Sequence, residues 1–231
     1  MKCKVVVLAL LLAGCNSGYI RQARIEAPRP PLPELPFDVI KVTGKATTED
    51  RQIIELALIL MRREVWASVR EIQIRSDYEH FSQDGDTVRI VRAHRCNSGK
   101  RKICIVAGNK ITAPLVWHET AHVYHYNLSD YHRAYNFYRS WMEIAGNVYH
   151  DRSAEPESEG VLTYYSRRSF NEDIAEWVEE CLAYLYAAGE SPILKIKDRK
   201  TDKRYRKKLT LLYEHSFFTE EQYKKLKPLF E

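Results

Sequence analysis

His118-Glu119-Thr120-Ala121-His122 lies in a stretch that reads as a helix from about Thr112, with Pro114 tolerated in its first turn. Residues four apart stand one above the other on a helix face, so His118 and His122 can grip one metal ion. Glu119 then projects beside that ion, where it can take a proton from bound water, the arrangement of a zinc-dependent hydrolase. About two or three chains in a hundred of this composition would carry the pentapeptide by chance, so the surrounding sequence has to supply the rest of the argument.

The chain, 231 residues long, opens Met1-Lys2-Cys3-Lys4 and runs apolar from Val5 to Ala13. A charged start followed by an apolar run too short to span a bilayer is an export signal. Leu12-Ala13-Gly14-Cys15 closes the run and resembles the bacterial lipoprotein signal; an ordinary secretory cleavage site that happens to precede a Cys is the competing reading. The resemblance implies that residues 1–14 are removed and that Cys15 is acylated and holds the protein to a membrane. Asn16 is not the Asp that favours inner-membrane retention in enterobacterial lipoproteins, so the expectation is an outer-membrane lipoprotein facing the periplasm. Pro28, Pro30, Pro31, Pro33 and Pro36 crowd the next segment and leave no room for helix or central strand, making residues 15–36 an extended tether. Residues 37–231 then fit one domain with ample length for a core. The sequence contains no internal repeat and no second hydrophobic span.

The formal charge is +5, and departure of Lys2 and Lys4 with the signal takes it to +3. Lys195, Lys197, Arg199, Lys200, Lys203, Arg204, Arg206, Lys207 and Lys208 concentrate the excess in a polar stretch that reads as a solvated helix flank, with anionic lipid as the other reading. Only Tyr205 interleaves these cations, so stacking on bases, and with it a nucleic-acid partner, is not expected. Cys96 and Cys104 flank the turn-like Asn97-Ser98-Gly99-Lys100, and export permits them either to pair, stabilising the fold by about 2.5 kcal/mol on a chain-entropy argument, or to stay as buried thiols. Cys181, between helical apolar residues, reads as a small buried side chain. No Cys-x-x-Cys pair is present to suggest a cysteine-bound zinc.

Thr47-Thr48-Glu49-Asp50 supplies a cap and an acidic first turn for a helix to about Arg63, burying Ile53, Ile54, Ala57, Leu58, Leu60 and Met61. Residues 71–75, 87–91 and 102–106 alternate as strands, the latter two read as a hairpin, and Gly108-Asn109 ends the last. After the His-bearing helix come a helix from Asp130 to Ile144 capped by Ser129, an acidic surface loop from Asp151 to Gly160, and a long helix from about Phe170 to Ala188 ending at Gly189. Helices near 204–214 and 220–229 finish the chain, the last opened by a Thr219-x-x-Gln222 capping box. The fold class is α+β: a small mixed sheet packed on the His-bearing helix, followed by a mostly helical C-terminal half.

A catalytic zinc takes three protein ligands and keeps a position for water, so two His require a third partner. His125 shares the face of His122, but the helix rises about 10.5 Å from His118 to His125, too far for comfortable sharing of one ion; it reads as a surface His or as a neighbour of the ligands. The metzincin pattern would need His at Leu128 and Gly at His125, which excludes that class. Asn171-Glu172-Asp173-Ile174-Ala175-Glu176 is the better source: one Glu can bind metal while the other accepts the N–H of a ligating His. Ser169-x-x-Glu172 also fits a capping box, and on that reading Glu176 is the ligand.

The paired His-Glu-x-x-His and Glu-x-x-x-Glu helices resemble gluzincins. Tyr165, followed seven residues later by Glu172 and then Ala175-Glu176, is similar to the catalytic-domain pattern of anthrax lethal factor and the Pro-Pro endopeptidases. The match covers about residues 102–188 and rests on few positions. It implies a zincin-like fold for the domain, zinc held by His118, His122 and Glu172, Glu119 as general base, Tyr165 as donor to the oxyanion, and Glu176 behind the ligands. Tyr164 stands as an alternative to Tyr165. By the same resemblance the strand ending near Val106 borders the cleft and receives an extended peptide or protein substrate as a further strand. The expected activity is a zinc metalloendopeptidase tethered to the bacterial envelope; a non-catalytic zinc-binding envelope lipoprotein and a cell-wall peptide amidase are the alternatives.

Overall fold

The computed structural model describes residues 40–75, 79–81, 88–90, 93–95, 101–106, 111–128, 131–149, 159–187 and 191–231. The signal, Cys15, the Pro-rich tether, Cys96, Gly108-Asn109, Ser129, most of the acidic segment after Asp151 and Gly189 lie outside those residues.

Short strand β1 (Lys41–Gly44) leads into α1 (Thr48–Ile59), which starts at a complete capping box: the Thr47 hydroxyl accepts from the Asp50 N–H while the Asp50 carboxylate accepts from the Thr47 N–H. A crossover through α1 makes β2 (Glu71–Arg75) parallel to β1. Gly44 closes β1 with φ +84°, and a Cβ there would sit 1.9 Å from the Ile74 carbonyl oxygen, so the close approach of the two strands requires glycine.

Helix α1 stops four residues earlier than its pattern predicts. Arg62 turns extended with ψ 144°, and a separate turn, α2 (Arg63–Trp66), carries the buried Val65 and Trp66. Strands β3 (Glu79–Phe81) and β4 (Val88–Ile90) pair with each other, while β5 (Ala93–Arg95) runs antiparallel to β6 (Lys102–Val106). The expected hairpin between 87–91 and 102–106 is therefore not formed. The polar Ala93-His94-Arg95 gives no strand signal, yet it lies closer along the chain to β6, and a shorter loop closes at lower entropic cost.

The four-stranded sheet has the order β1-β2-β6-β5, three strands parallel and β5 antiparallel. Ile72 lies opposite Ile103 and Ile74 opposite Ile105, so one face is a buried isoleucine layer. Because β6 has β2 on one side and β5 on the other, it is not an edge, and the expectation that a substrate strand joins it is corrected: the sheet's outer strands are β1 and β5.

Helix α3 (Ala113–Tyr126) crosses the middle of the molecule. Thr112 caps it by accepting from the Leu115 N–H, Pro114 sits in its first turn, and Trp117 donates to the Ala57 carbonyl of α1 at 2.8 Å. The remaining helices are α4 (Tyr131–Ala145), α5 (Phe170–Tyr186), α6 (Pro192–Lys195), α7 (Lys203–Glu214) and α8 (Glu220–Leu226), with single 3-10 turns at Tyr165–Arg168 and Lys227–Leu229. The molecule is thus mixed α/β and mainly helical, with a small sheet. Phe230 packs on Trp177 of α5 and stacks on Tyr205 of α7, which joins the C-terminal helices to the same core. Among the described residues no helix is long and apolar enough to cross a membrane.

Cys181 is a buried free thiol and Cys104 is disulfide-bonded. Eight of the nine cations near the C-terminus are exposed or half-buried, but Lys208 is not among them. Tyr205, Lys208, Leu209 and Leu212 form the inward stripe of α7, so Lys208 enters the core and meets Asp173 of α5 at 2.5 Å.

Candidate metal centre

The i, i+4 spacing on α3 places His118 Nε2 and His122 Nε2 3.2 Å apart. Helix α5 packs against α3 and brings Glu172 Oε2 to 3.2 Å from His118 Nε2 and 3.3 Å from His122 Nε2. Two nitrogens and one oxygen form a nearly equilateral triangle. A tetrahedral ion with bonds of about 2.0 Å has ligand-to-ligand edges of about 3.3 Å. The triangle has that size, so the donor set fits a small tetrahedral cation with one position left for another ligand.

Ser169 caps α5 by accepting from the Glu172 N–H, but the Glu172 carboxylate turns to the two imidazoles and not back to the helix start. Between Glu172 and Glu176, the structure therefore puts Glu172 in the triangle. Burial pushes its carboxyl up, yet the hydrogen bonds and charge of His118 and His122 outweigh that and hold it far below the usual range.

What stands behind His118 differs from expectation. Its Nδ1 is 2.9 Å from Glu179 Oε2 and 3.5 Å from Glu176 Oε1, so the closer acceptor is a residue the sequence did not single out. Glu179 follows Glu172 by seven, two helical turns, and this spacing could have found it. Glu176 instead accepts from the Thr163 hydroxyl at 2.6 Å, and that hydroxyl in turn accepts from the Ser166 N–H inside the Tyr165–Arg168 turn. Burial, with the nearby Glu179 charge, pushes Glu176 up to about 7. His118, Glu176 and Glu179 make a second cluster whose ligand atoms lie within 4.8 Å of one another, on the far side of the same imidazole.

His125 is fully buried, which corrects the surface reading, and it stands behind His122 and not in the triangle. Its Nε2 is 3.2 Å from His122 Nδ1, and its Nδ1 is 3.1 Å from the Tyr138 hydroxyl on α4. Glu119 is also buried, and its Oε2 has no hydrogen-bond partner among the described residues. Desolvation raises the proton affinity of Glu119, only partly opposed by His118 and His122. An unsatisfied carboxylate oxygen in a buried site is costly unless a ligand or a proton meets it.

Tyr165 lies with its ring centroid 6.1 Å from that of His118, half-exposed, with the Arg168 guanidinium 4.6 Å from the ring centroid. Burial and the Glu172 charge raise its hydroxyl pKa, so it remains a hydrogen-bond donor at neutral pH. Tyr164, one residue earlier, is more exposed, at 58% against 38%. Of the two tyrosines left open by the sequence, Tyr165 is the one with a ring contact to the triangle.

One consequence concerns pH. Burial disfavours the charged form of His118, but hydrogen bonds to Glu172 and Glu179 and the charge of Glu179 outweigh it and raise its pKa well above the imidazole range. The metal-free site thus favours the protonated form of His118, and an ion entering at Nε2 competes with a proton there. Metal affinity should rise by about tenfold per pH unit while His118 stays charged in the metal-free protein. Chelator-competition titrations at three pH values between 6 and 8 measure this; a flat profile contradicts it.

In comparisons with known proteins, the chain matches no family model, no curated sequence and no solved structure.

Proposed function

We propose that the protein is a zinc-dependent endopeptidase with a zincin-like catalytic domain. The observation that supports this most is the triangle of His118 Nε2, His122 Nε2 and Glu172 Oε2, with edges of 3.2 to 3.3 Å, beside a buried Glu119 whose Oε2 has no hydrogen-bond partner among the described residues. Two imidazoles and one carboxylate suit zinc, a borderline-soft ion that favours mixed nitrogen and oxygen donors. When bound, zinc supplies Lewis acidity and makes a water available as a nucleophile near neutral pH.

The chain's own residues divide the remaining work. His118, His122 and Glu172 hold the ion, and Glu179 orients His118 by accepting its Nδ1–H. Glu119, whose burial makes it a stronger base than a surface carboxylate, takes a proton from the nucleophilic water and delivers it to the leaving amine. Tyr165 donates its hydroxyl hydrogen to the developing oxyanion. Thr163 and Glu176 hold the turn that presents it. Among the outer strands, β5 packs against α3 and is the natural place for an extended peptide to align beside the ligands. The lipoprotein-like Cys15 leads us to place this activity at the periplasmic side of the bacterial outer membrane, on protein or peptide substrates.

Metal content and hydrolysis of the purified protein test the reading. Wild type should carry one zinc per chain and cleave an unfolded protein such as labelled casein, whereas Glu172→Ala should lose the ion and the activity together. Full metal content in Glu172→Ala would remove Glu172 from the site. A metal-loaded wild type that releases peptides from peptidoglycan and leaves casein intact would instead favour the amidase.

A further inference from the structure

The two ligand histidines are backed by different chemistry. His118 rests on the carboxylates of Glu179 and Glu176, whereas His122 rests on another imidazole, His125, and through it on Tyr138. Proton positions along the second chain follow from its donors. The Tyr138 hydroxyl donates to the His125 backbone carbonyl at 2.6 Å, and a phenol has one proton to give. Its oxygen therefore faces His125 Nδ1, 3.1 Å away, as an acceptor, and His125 carries its proton on Nδ1. A neutral His125 ring then presents its Nε2 lone pair to His122 Nδ1 at 3.2 Å, which places the His122 proton on Nδ1. The result is that His122 Nε2 is left with a lone pair directed at the gap it shares with His118 Nε2 and Glu172 Oε2.

We propose that Tyr138 and His125 are positioning residues that fix His122 in its Nδ1–H tautomer, so that its Nε2 is ready to bind the ion. This rests on the metal-site reading above but concerns two residues that do not touch the ion. The local geometry is suited to the task. His125 is fully buried and lies one turn beyond His122 on the same helix, so its ring position is set by α3 itself, while Tyr138 enters from α4 and ties that helix to the last turn of α3. A neutral imidazole orients His122 without adding another anion to a site that already holds Glu119, Glu172, Glu176 and Glu179.

The test uses the full chain and three variants. In His125→Phe the ring volume stays and both nitrogens are lost; in His125→Gln an amide oxygen can stand near the place of Nε2 and accept from His122; in Tyr138→Phe only the hydroxyl goes. Long-range nitrogen–proton NMR correlations on metal-free protein read the His122 tautomer, and chelator competition reads zinc affinity. We expect wild-type His122 to be protonated on Nδ1. In His125→Phe we expect mixed tautomers and zinc binding weaker by about 10- to 100-fold. Recovery to within a few-fold is expected in His125→Gln, and Tyr138→Phe should show a smaller loss in the same direction, which decides the matter if His125→Phe does not fold. A wild-type His122 protonated on Nε2, or zinc binding in the folded His125→Phe or Tyr138→Phe variants as tight as in wild type, overturns the proposal. Failure of wild type to bind zinc sinks the metal reading instead, and the tautomer measurement still judges the relay.

Discussion

Glu119→Gln should leave zinc bound at one per chain while lowering turnover on an unfolded protein by about a thousandfold. The substitution keeps the length and shape of a side chain that is 6% exposed, so the fold and the three ligand atoms should be undisturbed. What disappears is the capacity to accept a proton and return it. Glu119 Oε2 has no hydrogen-bond partner among the described residues, so Gln breaks no bond at that atom. An amide there could even be better tolerated, since burial already penalises the charged carboxylate. Thermal stability should therefore stay equal or rise while catalysis collapses. Initial rates normalised to zinc content provide the check, and a metal-loaded Glu119→Gln protein with wild-type turnover would end Glu119's assignment as the base.

The largest expected effect on stability comes from a residue outside the metal triangle. Lys208→Met should destabilise the protein by about 3–5 kcal/mol, because it strands a carboxylate that is fully buried. Asp173 Oδ2 accepts from Lys208 Nζ at 2.5 Å, from the Tyr149 hydroxyl at 2.6 Å and from the Trp141 indole at 3.1 Å, and Lys208 also donates to the Gly160 carbonyl at 2.7 Å. Helices α4, α5 and α7 and the segment leading to Tyr165 thus meet at one ion pair. Burial pushes the Asp173 carboxyl up and the Lys208 amine down, the sign of the desolvation this pair must offset. Urea unfolding monitored by tryptophan fluorescence measures the loss. Changing Asp173→Asn together with Lys208→Met should recover part of it, since the amide oxygen still accepts from Tyr149 and Trp141 without a net charge. A single Lys208→Met that costs under about 1 kcal/mol would show that water reaches the pair and screens it.

Asp173 follows Glu172 directly, which gives the ion pair a bearing on the site. The first turn of α5 holds the ligand Glu172 on the side facing α3 and the anchored Asp173 on the side facing α7. Ser169 closes the same turn from its N-terminal end. A ligand carboxylate placed to tenths of an ångström needs support of this kind, because its own side chain has free torsions and its desolvation works against it.

Sequence periodicity determined the parts of this protein that depend on neighbours within one or two turns. The His118 and His122 pairing, the Thr47, Thr112, Ser169 and Thr219 caps, and the approximate extents of α3, α4, α5 and α7 all follow from a helix repeat of 3.6 residues and from unpaired N–H groups at helix starts. Spacing made Glu179 eligible beside Glu176, but nothing within that range could choose between Glu172 and Glu176 as ligand, rank Glu179 ahead of Glu176 behind His118, or turn His125 inward. Those outcomes were decided when α5 and α4 docked on α3, a matter of side-chain volumes across surfaces far apart in the chain. Strand pairing was undetermined for the same reason, since alternation marks a strand and its faces but carries no record of its partner, and β6 found β5 in place of the expected segment. Lys208 shows both levels at once: its place on the inward stripe of α7 is written in the chain, and only the presence of Asp173 on the facing helix makes that place tolerable for a charge.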